Sequence, residues 1–449
     1  MNFKSLFIKD FHFKEIIYNA SSNLAIRFIS IIFSFIFTYC IATQFGSNIL
    51  GILALYQSIL FILSVFCRLG LDTASVRFVT ENIANNRFTT IKDIFVKLTI
   101  LVSIISFIVS FIFYVFFNRV AGSFLKYIDF NDYIIFVTLS IVPFSLLLVN
   151  SEFFRGFKKI NYYAIFRQLS LPIISCLILF ICILLKQKNN IIPVFSYTAS
   201  IYCLLILSYF FIFNKILKNL SKTKDKESKS SYKDLLKISI PMMITNSLLH
   251  LLQYSDILIL GIFTNDSNIG IYNIAYKVAM LTSLSLFAVN SIAAPKISEL
   301  YHSNKMEEFK QTISFSSKIT FFASLPIVII FLFFPEQILI FFGNEYVKGK
   351  WVLIILSLGQ FVNCIAGPAG YILQMTGKEK VFKNIIIFSV FINVALNFIL
   401  VPFYGIIGAS LSSLFSLLIS SICSLYIIYK DYNVKSFYLP FCNESNSDV

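Results

Sequence analysis

The sequence predicts an all-α polytopic membrane protein with twelve transmembrane helices in two six-helix lobes and both termini in the cytoplasm. Three observations predict it. Of the 449 residues, 57% are hydrophobic and only 13% are charged, whereas an ordinary soluble chain is about 25% charged. Apolar runs long enough to cross a bilayer recur along the whole chain. Lys and Arg are concentrated in every second connection. The mean hydropathy of +0.81 leaves too little polar surface to coat a water-soluble globule. A cytosolic enzyme, a secreted disulfide scaffold and a disordered chain are thereby excluded.

The runs are Leu24–Thr43, Leu50–Leu69, Leu98–Phe117, Tyr133–Val149, Leu169–Leu185, Val194–Phe213, Ile238–Phe263, Ile271–Ala293, Ile319–Phe334, Trp351–Met375, Ile385–Val401 and Ile406–Tyr429. Each must satisfy its own backbone hydrogen bonds in lipid, which makes it helical. A transmembrane barrel would need segments of about ten residues with alternating polarity. The 52 Phe residues fit lipid-facing surfaces and carry no functional message by themselves.

Orientation is set by the basic residues. With Arg68 counted to the loop after the second run, the connections on the N-terminal side hold 29 of the 37 Lys and Arg, and the opposite ones hold 6. Arg27 and Lys277 lie within spans. This asymmetry places both termini in the cytoplasm. The net charge of +15 is therefore a topology signal, and no nucleic-acid partner is expected. The eight cysteines sit mostly in apolar runs without a CxxC, so neither metal ligation nor a disulfide framework is indicated. The first 23 residues do not resemble a cleavable signal peptide.

A Lys/Ser-rich stretch divides the chain. The expected organisation is an N-terminal six-helix lobe over 1–213, a cytoplasmic linker over 214–237, a C-terminal six-helix lobe over 238–430 and a cytoplasmic tail over 431–449. Gly51 and Gly270 recur at an offset of 219, as do Arg77 and Lys296, while Gly156 and Gly377 recur at 221. An even number of spans per half makes this a parallel repeat, and such halves usually enclose a midplane cavity.

Polar residues inside spans need a reason, because a charge at the bilayer centre costs about 2.5–3.5 kcal/mol. The first span carries Asn23, Arg27, Ser30, Ser34 and Thr38 on one face. The seventh carries Asn246, His250, Gln253 and Asp256 within about a third of the circumference. The eighth adds Asn273, Tyr276 and Lys277. On one reading these faces line a water-filled cationic lumen. On the other they form interhelical hydrogen bonds and ion pairs, with Asp256 and Lys277 simply pairing. Asn363 belongs to a cluster with Gly359, Gln360, Gly367, Pro368 and Gly370 that predicts a bent helix with polar groups turned inward. Asn393 and Asn397 are candidates for the same wall. The substrate-binding candidates are Arg27, Lys277, His250, Gln253, Asn246 and Asn363. Asp256 and His250 are the candidates for ion coupling. At the cytoplasmic ends, Arg68, Asp72, Arg77, Arg155 and Lys296 are candidates for a gate, beside the ordinary anchoring role of such charges.

No HExxH, GxSxG or phosphate-binding loop occurs, so no enzyme, metal or cofactor is expected and ATP hydrolysis by this chain is excluded. QFGSNILGILALYQS after the first span, RLGLDTASVRFVTE after the second and EFFRGFKKINYYAIFR after the fourth resemble the polysaccharide transporter family. SNIGIYNIAYK, APKISELY, FFGNEYVKGKWVL, GPAGYILQMTGKEK and NFILVPFYGIIGASLSS continue the resemblance, which runs from about Asn19 to Lys430. The most similar members are O-antigen flippases (Wzx-type), relatives of lipid II flippases and multidrug exporters in the MATE-like superfamily.

The resemblance implies a V-shaped bundle of two lobes in the bacterial inner membrane. It implies translocation of an undecaprenyl-diphosphate-linked O-antigen or capsule oligosaccharide by alternating access driven by an ion gradient. Its implied partners are that lipid-linked oligosaccharide, the bilayer, an O-antigen polymerase and a chain-length regulator. Arg27 matches the family's intramembrane basic position in the first span. A diphosphate headgroup needs cations to replace its water, a role open to Arg27 and Lys277. The alternatives are a MATE-type multidrug/cation antiporter, whose substrates favour an acidic cavity, and a membrane enzyme of glycan assembly such as a polymerase.

Overall fold

The computed structural model describes residues 11–124, 130–187, 189–218, 232–434 and 436–438. The middle of the expected linker, the end of the expected tail and the side chain of Asn246 lie outside the described residues. Among those described there is no strand. In chain order the helices are α1 (Phe11–Arg68), α2 (Leu71–Ala84), α3 (Phe88–Phe124), α4 (Ile134–Gly156), α5 (Ile160–Ala164), α6 (Ser170–Leu184) and α7 (Ile192–Ile212). They continue with α8 (Tyr232–Phe263), α9 (Asp266–Ala279), α10 (Leu284–His302), α11 (Met306–Phe333), α12 (Pro335–Ile340), α13 (Lys350–Ile365), α14 (Ala369–Met375) and α15 (Glu379–Tyr432). Among the described residues eight helices are long and apolar enough to cross a membrane, and α13 and α14 form an apolar pair bent by 42°. This is a multi-pass membrane protein.

Two of those helices are interrupted. Gly46 in α1 has φ 78° and ψ 178°, and Gly405 in α15 has φ 53° and ψ −128°. Only a residue without Cβ adopts such angles cheaply, so each glycine breaks one long helix into two. The bend between α13 and α14 falls where the Gly/Pro cluster predicts it. Pro368 opens α14, and Thr320 Oγ1 of α11 donates to the Cys364 carbonyl at 2.8 Å, beside the Gly367 amide that donates to the same oxygen at 3.1 Å.

The chain divides into two compact units, Met1–Leu251 and Leu252–Val449. In the first, α4 packs against α1, α2, α3 and α7. Lipid offers no hydrophobic drive between helices, so polar pins matter there. Tyr56 Oη donates to Ser140 Oγ at 2.6 Å, and Asn150 Nδ2 donates to Ser208 Oγ at 2.9 Å. Pro143 removes the donor that the Leu139 carbonyl would otherwise have. Tyr202 Oη replaces it at 2.8 Å. In the second unit, α13 packs against α9, α11 and α15. Phe107 and Phe391, within predicted spans, are 69% and 70% exposed.

Candidate functional site

Two clusters of buried charged and polar groups stand out among the described residues, one in each unit. In the first unit the cluster begins at the turn between α1 and α2, where Leu69 (φ 46°) and Gly70 (φ 73°) both adopt left-handed backbone. The turn brings Asp72 back against Arg68. The two form an ion pair, with Arg68 3% and Asp72 7% exposed. Arg68 Nε also donates to the Ser64 carbonyl at 2.9 Å, and the Thr73 amide donates to Asp72 Oδ1 at 2.8 Å. Burial opposes ionisation of Asp72, but Arg68 and Arg167 outweigh it and hold the carboxyl below the ordinary carboxylate range.

Three further walls complete this cluster. From the end of α4, Glu152 and Arg155 pair at 3.1 Å, and the Arg155 guanidinium lies 5.4 Å from the centre of the Tyr163 ring on α5. Arg167 comes from a five-residue π-helical turn, Ile165–Leu169, between α5 and α6. His250 and Met243 come from α8. Together these residues enclose a cavity of about 230 Å³. Two serine hydroxyls donate to carbonyls of the π-turn. Ser30 of α1 donates to the Gln168 carbonyl at 2.7 Å, and Ser170 donates to the Ile165 carbonyl at 2.9 Å.

In the second unit Asp256 is 3% exposed and accepts hydrogen bonds from three other stretches of helix. Tyr272 Oη of α9 donates to Oδ2 at 2.6 Å, and Ser413 Oγ of α15 donates to the same oxygen. Asn397 and Asn393 Nδ2 donate to Oδ1 at 2.7 and 3.2 Å. Ser255 in turn donates to Asn393 Oδ1 at 2.7 Å. A carboxylate offers about four lone-pair directions, and four neutral donors fill them. Asp256 is thus held by these donors and not by Lys277. The Asn397 Oδ1 beside them is buried without a donor.

The structure sorts the remaining sequence candidates. Arg68, Asp72, Arg155 and His250 come together in the first cavity, and Arg77 is exposed on α2 away from it. Lys296 belongs to the second unit and pairs with Glu299 at 3.0 Å near the end of α10. Arg27 on α1, Lys277 on α9 and Asn363 on α13 are partly buried, and Gln253 is exposed. The expected stripe on the seventh span is therefore divided: His250 faces the first unit's cavity and Asp256 the second unit's network. Arg167, Tyr272 and Ser413 are not among the sequence candidates. Arg167 lies just before the fifth apolar run and is hidden there among loop anchors.

The fold and sequence resemble those of known transporters. The structure superposes on the lipid II flippase MurJ in an inward closed conformation with a TM-score of 0.73, over 93% of this chain and 89% of that one, at 18% identity. An uncharacterized membrane protein of Methanocaldococcus jannaschii is 26% identical over 82% of this chain and 75% of its own length. A protein of Haloferax volcanii named "probable low-salt glycan biosynthesis flippase" is 24% identical over 90% of this chain and 82% of its own. The MatE family profile matches residues 241–399. The profile described as polysaccharide biosynthesis protein matches residues 13–301, well over half of the chain, which therefore belongs to the polysaccharide biosynthesis protein family.

Proposed function

We propose that this chain is a flippase that carries a lipid-linked oligosaccharide across a membrane by alternating access, and that it is a transporter and not an enzyme. The observation that carries the reading is the family match over residues 13–301 joined to a MurJ-like fold over nearly the whole chain. The proposed cargo is an undecaprenyl-diphosphate-linked repeat unit in a bacterial inner membrane, with O-antigen and capsule as its two pathways. The Haloferax volcanii relative, named for low-salt glycan biosynthesis, widens the proposed cargo class to lipid-linked glycans outside these two pathways. An O-antigen polymerase and a chain-length regulator remain proposed partners.

The proposed topology counts the two halves of α1 and of α15 separately and adds α8 and the bent pair α13–α14. That gives twelve spans with both termini in the cytoplasm, in lobes over 1–213 and 238–430 joined by a linker over 214–237. Arg27 and Lys277 are the intramembrane cations proposed for the diphosphate, with Asn246, Gln253 and Asn363 for sugar hydroxyls. Arg68, Asp72 and Arg155 are proposed for gating, with Arg77 and Lys296 as lesser candidates.

Asp256 is proposed to couple transport to an ion gradient. A buried carboxylate beside an acceptor that lacks a donor, Asn397 Oδ1, is an arrangement that a proton or a hard cation would complete. Tyr272 and Ser413 hydroxyls can turn to accept when the carboxyl is neutral. His250 remains the second proposed coupling group.

Deletion of the chain from its host tests the reading. The expected result is loss of surface glycan with accumulation of the lipid-linked precursor, restored by the wild-type chain but not by Arg27→Ala at equal protein level. Unchanged surface glycan would overturn the reading. The MatE match favours one other function, a multidrug/cation antiporter. It predicts dye export without any change in lipid-linked glycan.

A further inference from the structure

The cavity of the first unit holds an imbalance of charge. Three arginines line it against two carboxylates. Arg68 is matched by Asp72, and Arg155 by Glu152. Arg167 has no carboxylate within ion-pair distance among the described residues, and its Nη1 is buried without an acceptor. A buried guanidinium nitrogen without an acceptor is costly, because its desolvation is not repaid by a hydrogen bond.

The backbone that presents Arg167 is also unusual. One extra residue in a helical turn rotates the helix before the turn by about 100° relative to the helix after it. Ile165–Leu169 is such a turn, and π-turns of this kind occur frequently at functional sites. Ser30 of α1 donates to the Gln168 carbonyl within the turn, and the amide and hydroxyl of Ser170 both donate to the Ile165 carbonyl. Gly70 and Thr73 at the start of α2 also line the cavity, where the Thr73 amide is taken up by Asp72.

We propose that this cavity is an oxyanion site for a phosphate or diphosphate group, with Arg167 as the residue that meets the anion. The planar fork of a guanidinium matches two phosphate oxygens at once, and Arg68 supplies positive field behind it. The inference rests on the flippase reading only in its choice of cargo. A phosphoryl group reaches such a cavity either on a lipid-linked glycan or as an anionic phospholipid headgroup, and the two sources share this chemistry.

The test uses the purified full chain in phosphatidylcholine nanodiscs. Binding of farnesyl diphosphate and of inorganic pyrophosphate is measured by calorimetry, and phosphatidylglycerol is titrated into a second set of nanodiscs. Wild-type protein is expected to bind both diphosphates, and Arg167→Gln to bind them about ten- to a hundredfold more weakly, the loss of one or two charge-assisted hydrogen bonds. Arg167→Lys, which keeps the charge and loses the fork, is expected to fall between them. Competition by phosphatidylglycerol would support the site and identify a lipid headgroup as its resident anion. Equal diphosphate binding by wild type and Arg167→Gln would overturn the proposal.

A second measurement needs no variant. Phenylglyoxal modification of wild-type protein, read by peptide mass spectrometry, is expected to spare Arg167 when pyrophosphate is present and to label exposed Arg77 regardless. Equal labelling of Arg167 with and without pyrophosphate would also overturn it. If surface glycan is unchanged on deletion of the chain but Arg167 still governs pyrophosphate binding, the flippase reading falls and the oxyanion site stands.

Discussion

Replacing Asp256 tests how the second unit is held together. The carboxylate is the common acceptor for donors on α9 and on both halves of α15. In Asp256→Ala, Asn397 Nδ2 keeps a hydrogen bond to the Asn393 carbonyl at 2.9 Å, and the Ser413 hydroxyl can rotate to its own helix. Asn393 Nδ2 and the Tyr272 hydroxyl are left buried with nothing to donate to. At about 1–3 kcal/mol for each unsatisfied group, the loss is about 2–6 kcal/mol. That is a large fraction of a typical folding free energy of about 5–15 kcal/mol. Asp256→Asn keeps the shape but turns an amide nitrogen toward existing donors, for a loss of about 1–3 kcal/mol. Thermal unfolding of detergent-solubilised protein, read by size-exclusion chromatography, is expected to rank wild type above Asn and Asn above Ala. An Asp256→Ala variant that melts with wild type would refute the claim that this network ties α8, α9 and α15 together.

The other buried groups give further expected outcomes. Asp72→Asn removes the counter-charge of buried Arg68 and is expected to cost about 3–5 kcal/mol in the same assay. Because the Asp72 carboxyl is held below its ordinary pKa of 3.8, its contribution is present above that value and lost as pH falls below it. Melting curves between pH 3 and pH 7 are therefore expected to show an acid loss in wild type that is smaller in Asp72→Asn. Gly405→Ala places a Cβ in a backbone region essentially reserved for glycine, and is expected to cost about 1–3 kcal/mol, seen as a lower melting temperature. Lys296→Gln breaks an exposed pair whose side chains are 39% and 58% accessible, and is expected to shift stability by less than about 0.5 kcal/mol.

Much of this architecture is legible in the sequence because lipid imposes simple rules. The predicted apolar runs fall largely on helix, with the tenth interrupted at the bend that Gly367–Pro368 marks. The break at Gly405 lies in the NFILVPFYGIIGASLSS motif and the break at Gly46 in QFGSNILG. The sites are legible only in part. Asp256 stands out as an acidic residue in an apolar run, but its partners are a phenol, a serine and two amides far away in sequence. Neutral residues of that kind carry no signal of their own until the fold gathers them. Arg68 and Asp72 are visible through their spacing of four, although the intervening left-handed turn is not. Arg167 escapes because hydropathy begins the fifth span at Leu169, whereas the helix begins nine residues earlier at Ile160 and contains a π-turn. A one-residue change of register has no compositional signature.

As proposed, this chain moves a lipid-linked glycan and couples that movement to an ion gradient through Asp256. The most direct measurement reconstitutes the purified chain in proteoliposomes with a fluorescent undecaprenyl-diphosphate oligosaccharide and tracks its exposure with an impermeant quencher. Protein-dependent flipping is expected to accelerate when a proton or sodium gradient is imposed, and the Asp256→Asn variant is expected to respond to neither gradient. Flipping no faster than in protein-free vesicles under both gradients, with wild-type protein correctly folded, would contradict the proposal.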